Sequence, residues 1–547
     1  MSNNLLFEDK MRSVVDLPKS NSNDDIERAG FKAAGVASAV MFARIASIAI
    51  AGIAFIVVSR ILGPSIYGLY IIAASIAGIF TSFADLGTST AFSKFGSEYK
   101  SKKRHDMVSE MISNGYGVVI LFGIVLTIAL FASSSYISKI SFGTIQYTYL
   151  VEWIAATILV TVLFNMSTSI LIGLGRSVEL VKSVFLQVSI QGIVGVAFAF
   201  LGFGAMAPIL GLLAGFSIGT IIATYYAYHS EGMSISMPHI SSIKRLLKFS
   251  IPISIAGAVG GVASSISPIL LGRFTSSAIV GNVGVSIRTG NIIGLAVDSA
   301  GASLLPFFST INSVGSAKVS ANNISRAFNY SIYIILMLFL PSSVFFAVLS
   351  KDISRVLFGS SYIMAPYYIS IVSIGIIISM LASYTSTLLI SSEKVVKVMK
   401  YTILVSIAEV ILLLLLVKSI GGFALILSLS VVGPLISLAL YMHIAISEVK
   451  IKLSADKSLR VVLAAFISAL VIIPIALYFS HGTLYGSITA MALGFIAILI
   501  VYPPLIAVLK GIEQKDIDRI KLIGKEIPIA GSFLSIIAAY VEHFAAR

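Results

Sequence analysis

Apolar stretches close to the roughly 20 residues needed to cross a bilayer follow one another along almost the whole chain. They are too long and too close together for a water-soluble core. Fourteen spans are predicted, near 34–59, 66–92, 113–134, 147–172, 180–201, 205–228, 250–272, 279–306, 327–349, 363–390, 395–417, 421–446, 461–480 and 484–508. Short polar or glycine/proline punctuation separates them, as at Gly63-Pro64-Ser65, Gly202-Phe203-Gly204 and Gly421-Gly422. The fold class expected is an all-α polytopic membrane protein. After Lys510 the pattern turns amphipathic, with Ile512, Ile517 and Ile520 set among Lys515, Asp518 and Arg519. A last apolar run, Ile527 to Val541, is short for a span and reads as an interfacial or re-entrant segment.

Composition agrees with the pattern. The 547 residues are 57% hydrophobic and 11% charged, against about 25% charged in a soluble domain, and the mean hydropathy is +1.00. The first 33 residues are polar and mixed in charge, with no apolar run before a cleavage site, and read as a cytoplasmic tail rather than a signal peptide.

The net charge of +14 raises the question of nucleic acid, and the position of the charges answers it. With the N-terminus inside, the inside segments carry 30 Lys and Arg, the outside loops 6, and two arginines fall within spans. This positive-inside asymmetry is a topology signal directed at anionic headgroups. It predicts a multi-pass protein of the cell (plasma) membrane with both termini cytoplasmic and no nucleic-acid partner. Trp153, the single tryptophan, falls at an outer boundary, as an aromatic belt requires.

Several chemistries are excluded. There is no cysteine, so disulfides, thiolate metal sites and cysteine nucleophiles are absent. The six histidines are scattered without metal-ligand spacing, so no metal site is expected. No GxxxxGK[ST] loop occurs, which argues against direct ATP drive. The sequons at Asn165, Asn323 and Asn329 fall in a span, an inside loop and a span start, so none is expected to be glycosylated.

An internal repeat appears at an offset of 213 residues. Arg60 then meets Arg273, Gly68 meets Gly281 and Asp85 meets Asp298. The offset joins span 1 to span 7, an even number of crossings, so both copies run the same way. This predicts two six-helix lobes about a pseudo-two-fold along the membrane normal, with two extra C-terminal helices. The boundaries are 1–33 for the cytoplasmic tail, 34–228 for the N-lobe, 229–249 for an inter-lobe loop and 250–446 for the C-lobe. Spans 13 and 14 occupy 447–508, and 509–547 is a cytoplasmic or interfacial tail.

Three short stretches then carry a family resemblance: Arg60-Ile-Leu-Gly-Pro-Ser-Ile-Tyr-Gly-Leu-Tyr70, Asp85-Leu-Gly87 and Leu171-Ile-Gly-Leu-Gly-Arg176. In these, and in layout over about residues 34 to 508, the chain resembles the oligosaccharide flippases of the multidrug/oligosaccharidyl-lipid/polysaccharide exporter superfamily. The resemblance implies a V-shaped two-lobe fold, alternating access and a lipid-pyrophosphate-linked sugar as cargo. It is silent on which sugar.

Charges within spans cost at least ~2.5–3.5 kcal/mol each, so each needs a reason. Arg44 in span 1 and Arg288 in span 8 both lie near the midplane, one per lobe. They are the candidate substrate-binding residues, gripping a pyrophosphate from the inter-lobe cavity with an ionised, bidentate fork. The competing reading is that each only pairs with a carboxylate to satisfy burial. Asp85 and Asp298, near Lys94 and Arg176, are candidate gate residues, against simple helix-end solvation. Glu409, in the apolar run that includes Leu412 to Leu416, could bind a coupling H+ or Na+, or neutralise a cavity charge. Arg60 and Arg273 are explained by snorkelling. Gln187, Gln191, Asn165, Asn282 and Asn291 either line the cavity or bridge helices. No catalytic residue and no cofactor beyond a coupling ion is expected.

The function expected is therefore transport without chemical change: a flippase moving a lipid-linked (pyrophosphate) oligosaccharide from the cytoplasmic to the outer leaflet. Its partners would be a polyprenyl-linked glycan, membrane lipids and glycan-assembly enzymes, and it would act as a monomer. The alternative is a multidrug or metabolite cation antiporter of the same superfamily, which would want carboxylates rather than midplane arginines. A membrane enzyme would need outside loops bearing catalytic groups, and these loops are short, with Lys351, Asp352 and Arg355 as the few candidates. A channel fits a lobe repeat poorly.

Overall fold

The computed structural model describes residues 23–84, 87–89, 92, 96, 99–100, 102, 104–229, 240–292, 294, 317–454, 456–480, 482–518, 539–542 and 544. Among these residues the regular structure is entirely helical. In chain order the helices are α1 (Asn23–Ala84), α2 (His105–Ala132), α3 (Ser134–Phe142), α4 (Thr148–Gly173), α5 (Ser177–Phe200), α6 (Met206–His229) and α7 (Ile240–Phe274). They continue with α8 (277–292) and α9 (Ala317–Val348). Then come α10 (Ser350–Phe358), α11 (Ala365–Ser391), α12 (Val395–Ile420), α13 (Gly422–Leu427), α14 (Gly433–Ser447), α15 (Asp456–Phe479) and α16 (Leu484–Val508). A π-helical turn, Ser428–Val432, joins α13 to α14.

Eleven helical stretches among the described residues are long and apolar enough to cross a membrane. Fourteen spans are expected from the sequence, and the difference has identifiable sources. One stretch, Ala43–Ala84, has 42 residues. At 1.5 Å per residue it is about 63 Å long, twice a hydrocarbon core of about 30 Å. It is broken at Gly63, whose φ of 67° and ψ of 172° leave helical space. Only glycine takes that φ freely, and Pro64 after it has no N–H to carry the ladder on. The spans expected at 34–59 and 66–92 lie on either side of this break. The span expected at 250–272 lies within α7, whose side chains are described only from residue 257, and the one expected at 279–306 follows α8 to residue 292, beyond which the description is discontinuous.

The chain divides into two compact units, residues 1–61, 76–140 and 144–258 in one, and 62–75, 141–143 and 259–547 in the other. In the first, α4 is the central helix. Leu150, Val151, Ile154, Ala155, Ile158 and Val162 on it are fully buried, and α2 and α6 pack on it. Helix α6 also packs along α5 through Gly211, Gly215 and Gly219. A Cβ at any of the three would collide with α5, at Gln187 or Gln191 in each case. Small residues four apart let helix backbones approach in this way. Gln187 Nε2 donates to Gln191 Oε1 at 2.6 Å within α5, one turn apart. Tyr116, Ser167 and Thr224 tie α2, α4 and α6 together by hydroxyl contacts of 2.8 to 3.1 Å.

In the second unit α11 takes the central place, packed by α9, α10 and α14. A core of Tyr333, Leu336, Ile353, Val461, Ile472, Ile498 and Tyr502 joins α9, α10, α15 and α16. The Tyr502 hydroxyl donates to the Met337 carbonyl at 2.9 Å, which satisfies its one polar atom in that core. Ile512 and Ile517, read from sequence as one face of an amphipathic tail, are buried in the same core; Ile520 and most of 527–541 lie outside the described residues. The outward faces are apolar: Phe131, Leu415, Phe466 and Leu477 are all more than half exposed. A soluble monomer would not present apolar surface on this scale, and lipid accepts it.

Candidate functional site

The repeat seen in the sequence becomes a contact in the second unit. Gly68 lies against the carbonyl of Ser277, and Gly281 lies against the carbonyl of Pro64. Residues 64 and 277, like 68 and 281, are 213 apart, so each copy meets the counterpart of what the other meets. The contact is reciprocal, as across a two-fold axis. Ile71 and Gly284, also 213 apart, touch each other on that axis. A Cβ at 68 would also come within 2.9 Å of the Gly281 nitrogen. Glycine at 68 and 281 is required because the opposing atoms are backbone, which no rotamer change can move.

Two turns past this crossing, α8 presents Arg288. Its side chain is exposed, whereas Tyr67 and Tyr70 beside it are 2% and 4% exposed. The guanidinium donates a hydrogen bond to the Tyr70 hydroxyl, and the Tyr67 hydroxyl lies close enough to act on it electrostatically. Arg288 thus meets phenolic oxygens and keeps solvent-accessible surface, the geometry of a cation that can still receive an anion. Two of the groups that act on it are tyrosines. The tyrosines were not singled out from sequence. Their i, i+3 spacing puts them on one face of the helix after Pro64, but nothing in the sequence ties that face to residue 288.

Arg44 is exposed on α1 and belongs to the first unit, whereas Arg288 belongs to the second. The two are not repeat mates, since the offset of 213 carries Arg44 to Gly257 and Arg288 back to Ser75. Asp85 and Asp298 lie outside the described residues, as does Lys94. Arg176, expected near them, pairs with Glu179 at 3.4 Å.

Glu409 is half-buried on α12, and its carboxylate is laid against the backbone of Gly433. That glycine follows the π turn and precedes Pro434. Proline cannot donate to the carbonyl four residues back and crowds it, and a π turn relieves the crowding. That carbonyl, of Ser430, lies against Gly375 of α11. No cation lies within ion-pair distance of Glu409 among the described residues. Among the same residues, no group of three or more His, Asp or Glu is placed to hold a metal.

Asn282 bridges helices: its Oδ1 accepts the N–H groups of Met364 and Ala365 at 3.1 and 2.9 Å. Asn165 and Asn291 are exposed, as are Arg60 and Arg273.

The architecture has solved counterparts. It is similar to the lipid II flippase MurJ in its inward closed conformation, at 17% identity and a TM-score of 0.63, covering 84% of this chain and 97% of that one. It is equally similar to an inward-facing multidrug resistance MATE family transporter of the MOP superfamily, at 14% identity and a TM-score of 0.63, covering 74% and 95%. A MATE structure in complex with MaD3S follows at 15% identity and a TM-score of 0.55, covering 77% and 96%. At these identities the likeness is one of fold, and the fold is that of a multi-pass membrane protein of MurJ and MATE type. No curated protein matches the chain. The polysaccharide biosynthesis protein family matches residues 35–312, just over half of the sequence, and the chain therefore belongs to the polysaccharide biosynthesis protein family.

Proposed function

We propose that this protein is a flippase that carries a lipid-linked, pyrophosphate-bearing oligosaccharide from the cytoplasmic to the outer leaflet by alternating access. The observation that carries the reading is Arg288, an accessible cation on α8, in a stretch whose hydropathy predicts a span, framed by two buried tyrosines. A charge there costs at least ~2.5–3.5 kcal/mol. An anionic headgroup passing through the membrane gives that cost a use, because arginine stays ionised and takes phosphate bidentately. Arg44 would be its second cation, Asp85 and Asp298 the gate, and Glu409 the site of H+ or Na+ coupling. The lipid tail stays in the bilayer, no bond is made or broken, and no catalytic residue is needed. Polyprenyl-linked glycan and the enzymes that assemble it are the partners this reading requires, with a monomer in the plasma membrane and both termini cytoplasmic.

Arg288→Ala is expected to abolish export of a lipid-linked glycan precursor in a complementation assay, at unchanged protein level in the membrane. Full complementation by Arg288→Ala overturns the reading. A cation antiporter is the second reading, favoured by the half-buried Glu409, which has no cation beside it among the described residues. It predicts the opposite pattern: Glu409→Gln stops efflux of an organic cation, and Arg288→Ala leaves it intact.

A further inference from the structure

The structure assigns a second polar site in the second unit, apart from Arg288: a pocket on α10 that takes a phosphate group carried by a lipid. The pocket has a volume of about 420 Å3, within the range that holds small ligands. Its charged and hydroxyl lining includes Ser350, Lys351, Ser354, Arg355, Tyr362 and Tyr367. On α10, positions 350, 351, 354 and 355 form one helical face toward the pocket. The opposite face, with Asp352 and Ile353, is buried.

Donors in the pocket are left unpaired. Arg355 Nη1 is buried with no hydrogen-bond partner, and so is the Ser354 hydroxyl, on a residue only 1% exposed. Buried donors left unpaired are costly, and charged ones more so. Asp352 does not relieve them: it lies off the lining, forms no ion pair with Arg355, and its own Oδ1 is unpaired. No carboxylate lines the pocket, while Lys351 stands exposed beside it. Two cations, several hydroxyls and no acid favour an oxygen-rich anion. On a chain whose surface faces lipid, the abundant anion of that kind is a headgroup phosphate.

The site is also held in shape. The turn at Gly359, with φ of 91°, starts the segment that closes the pocket. That segment ends at Met364 and Ala365, whose backbone N–H groups are held by Asn282, while Ser286 donates to the Ala365 carbonyl at 3.2 Å. Both anchors sit on α8, Asn282 six residues and Ser286 two residues before Arg288. A pocket fixed by such contacts needs little reorganisation to bind. The assignment does not depend on what the protein transports.

The test uses the full-length protein in detergent with inorganic pyrophosphate as the probe, read as a rise in unfolding temperature. The parent protein is expected to be stabilised. Lys351→Gln/Arg355→Gln is expected to weaken the apparent affinity at least tenfold, and Arg288→Gln to leave this component in place. Ser370→Trp, which fills the pocket and keeps both charges, is expected to act like the double variant, and it serves if the double variant does not fold. No stabilisation of the parent, an unchanged response in the variant that folds, or loss through Arg288→Gln alone overturns the assignment. In nanodiscs, competition by phosphatidylglycerol identifies a bulk phospholipid as the occupant. Competition by polyprenyl pyrophosphate alone identifies the carrier lipid. Competition by neither overturns the assignment.

Discussion

Two charged side chains in apolar helices find different surroundings, and the difference decides what each can do. Arg288 has phenolic oxygens and open surface. Glu409 has the backbone of Gly433 and no cation among the described residues. An acid held this way within a membrane is a candidate for proton or ion exchange. Glu409→Gln, which fixes the neutral form, is expected to leave folding intact and flatten the dependence of transport on pH or Na+, measured in proteoliposomes. Retention of the full dependence rules Glu409 out as the coupling site. Both residues were legible from sequence, because a charge in an unbroken apolar run is conspicuous. Their neighbours were not, since Tyr67, Tyr70 and Gly433 arrive from distant segments. Away from the membrane interior, Glu448 is held by Lys397, and by Lys394 at 3.0 Å. These bonds keep its carboxyl below the usual range. A lowered value in the folded state stabilises the protein above the ordinary carboxyl pKa of about 4.3 and is lost as pH falls through the folded value. Glu448→Gln is therefore expected to lower the unfolding temperature slightly at pH 7 and to match the parent in acid, as thermal scans across pH would register.

At the scale of elements, the crossing of the segment after Pro64 with α8 is the feature that the offset of 213 foretold. The sequence supplied matching glycines in the same topological place. It did not supply the fact that they touch. The contact leaves no room for side chains at 68 and 281, so Gly68→Val or Gly281→Val would overpack it at about 1–3 kcal/mol. A cross-link tests its part in transport more directly. An ideal Cβ at 284 lies 3.2 Å from Ile71 Cγ1, which brings the two Cβ atoms near the ~3.5–4.5 Å range of a disulfide. The chain has no native cysteine to interfere. Ile71→Cys/Gly284→Cys is expected to form a disulfide on oxidation and to stop transport until reduced. Transport at the full rate with the disulfide formed would show that this crossing stays closed throughout the cycle. The π turn before Pro434 follows the same logic on a smaller scale: a proline forbids the regular ladder, and the irregular turn sits beside Glu409.

For the whole molecule, the distribution of Lys and Arg predicts the orientation, and the absence of cysteine makes it testable. Ser360 and Ser454 are both exposed and fall in segments assigned to opposite sides. In intact cells a membrane-impermeant maleimide is expected to label Ser360→Cys, and to label Ser454→Cys only after permeabilisation. The reverse result inverts the topology. What the sequence determined by itself was the helical membrane class, the helix limits to within a few residues over most of the described chain, and the repeat. Each follows from local hydropathy, from glycine and proline chemistry, or from similarity along the chain. Tertiary structure alone decided which side chains meet. It set Arg288 against two tyrosines, buried Ile512 and Ile517 in a core, split the helix after Pro64 between two packing units, and left Arg355 Nη1 unpaired. Contacts between residues hundreds of positions apart depend on helix packing, and hydropathy carries no record of the partner.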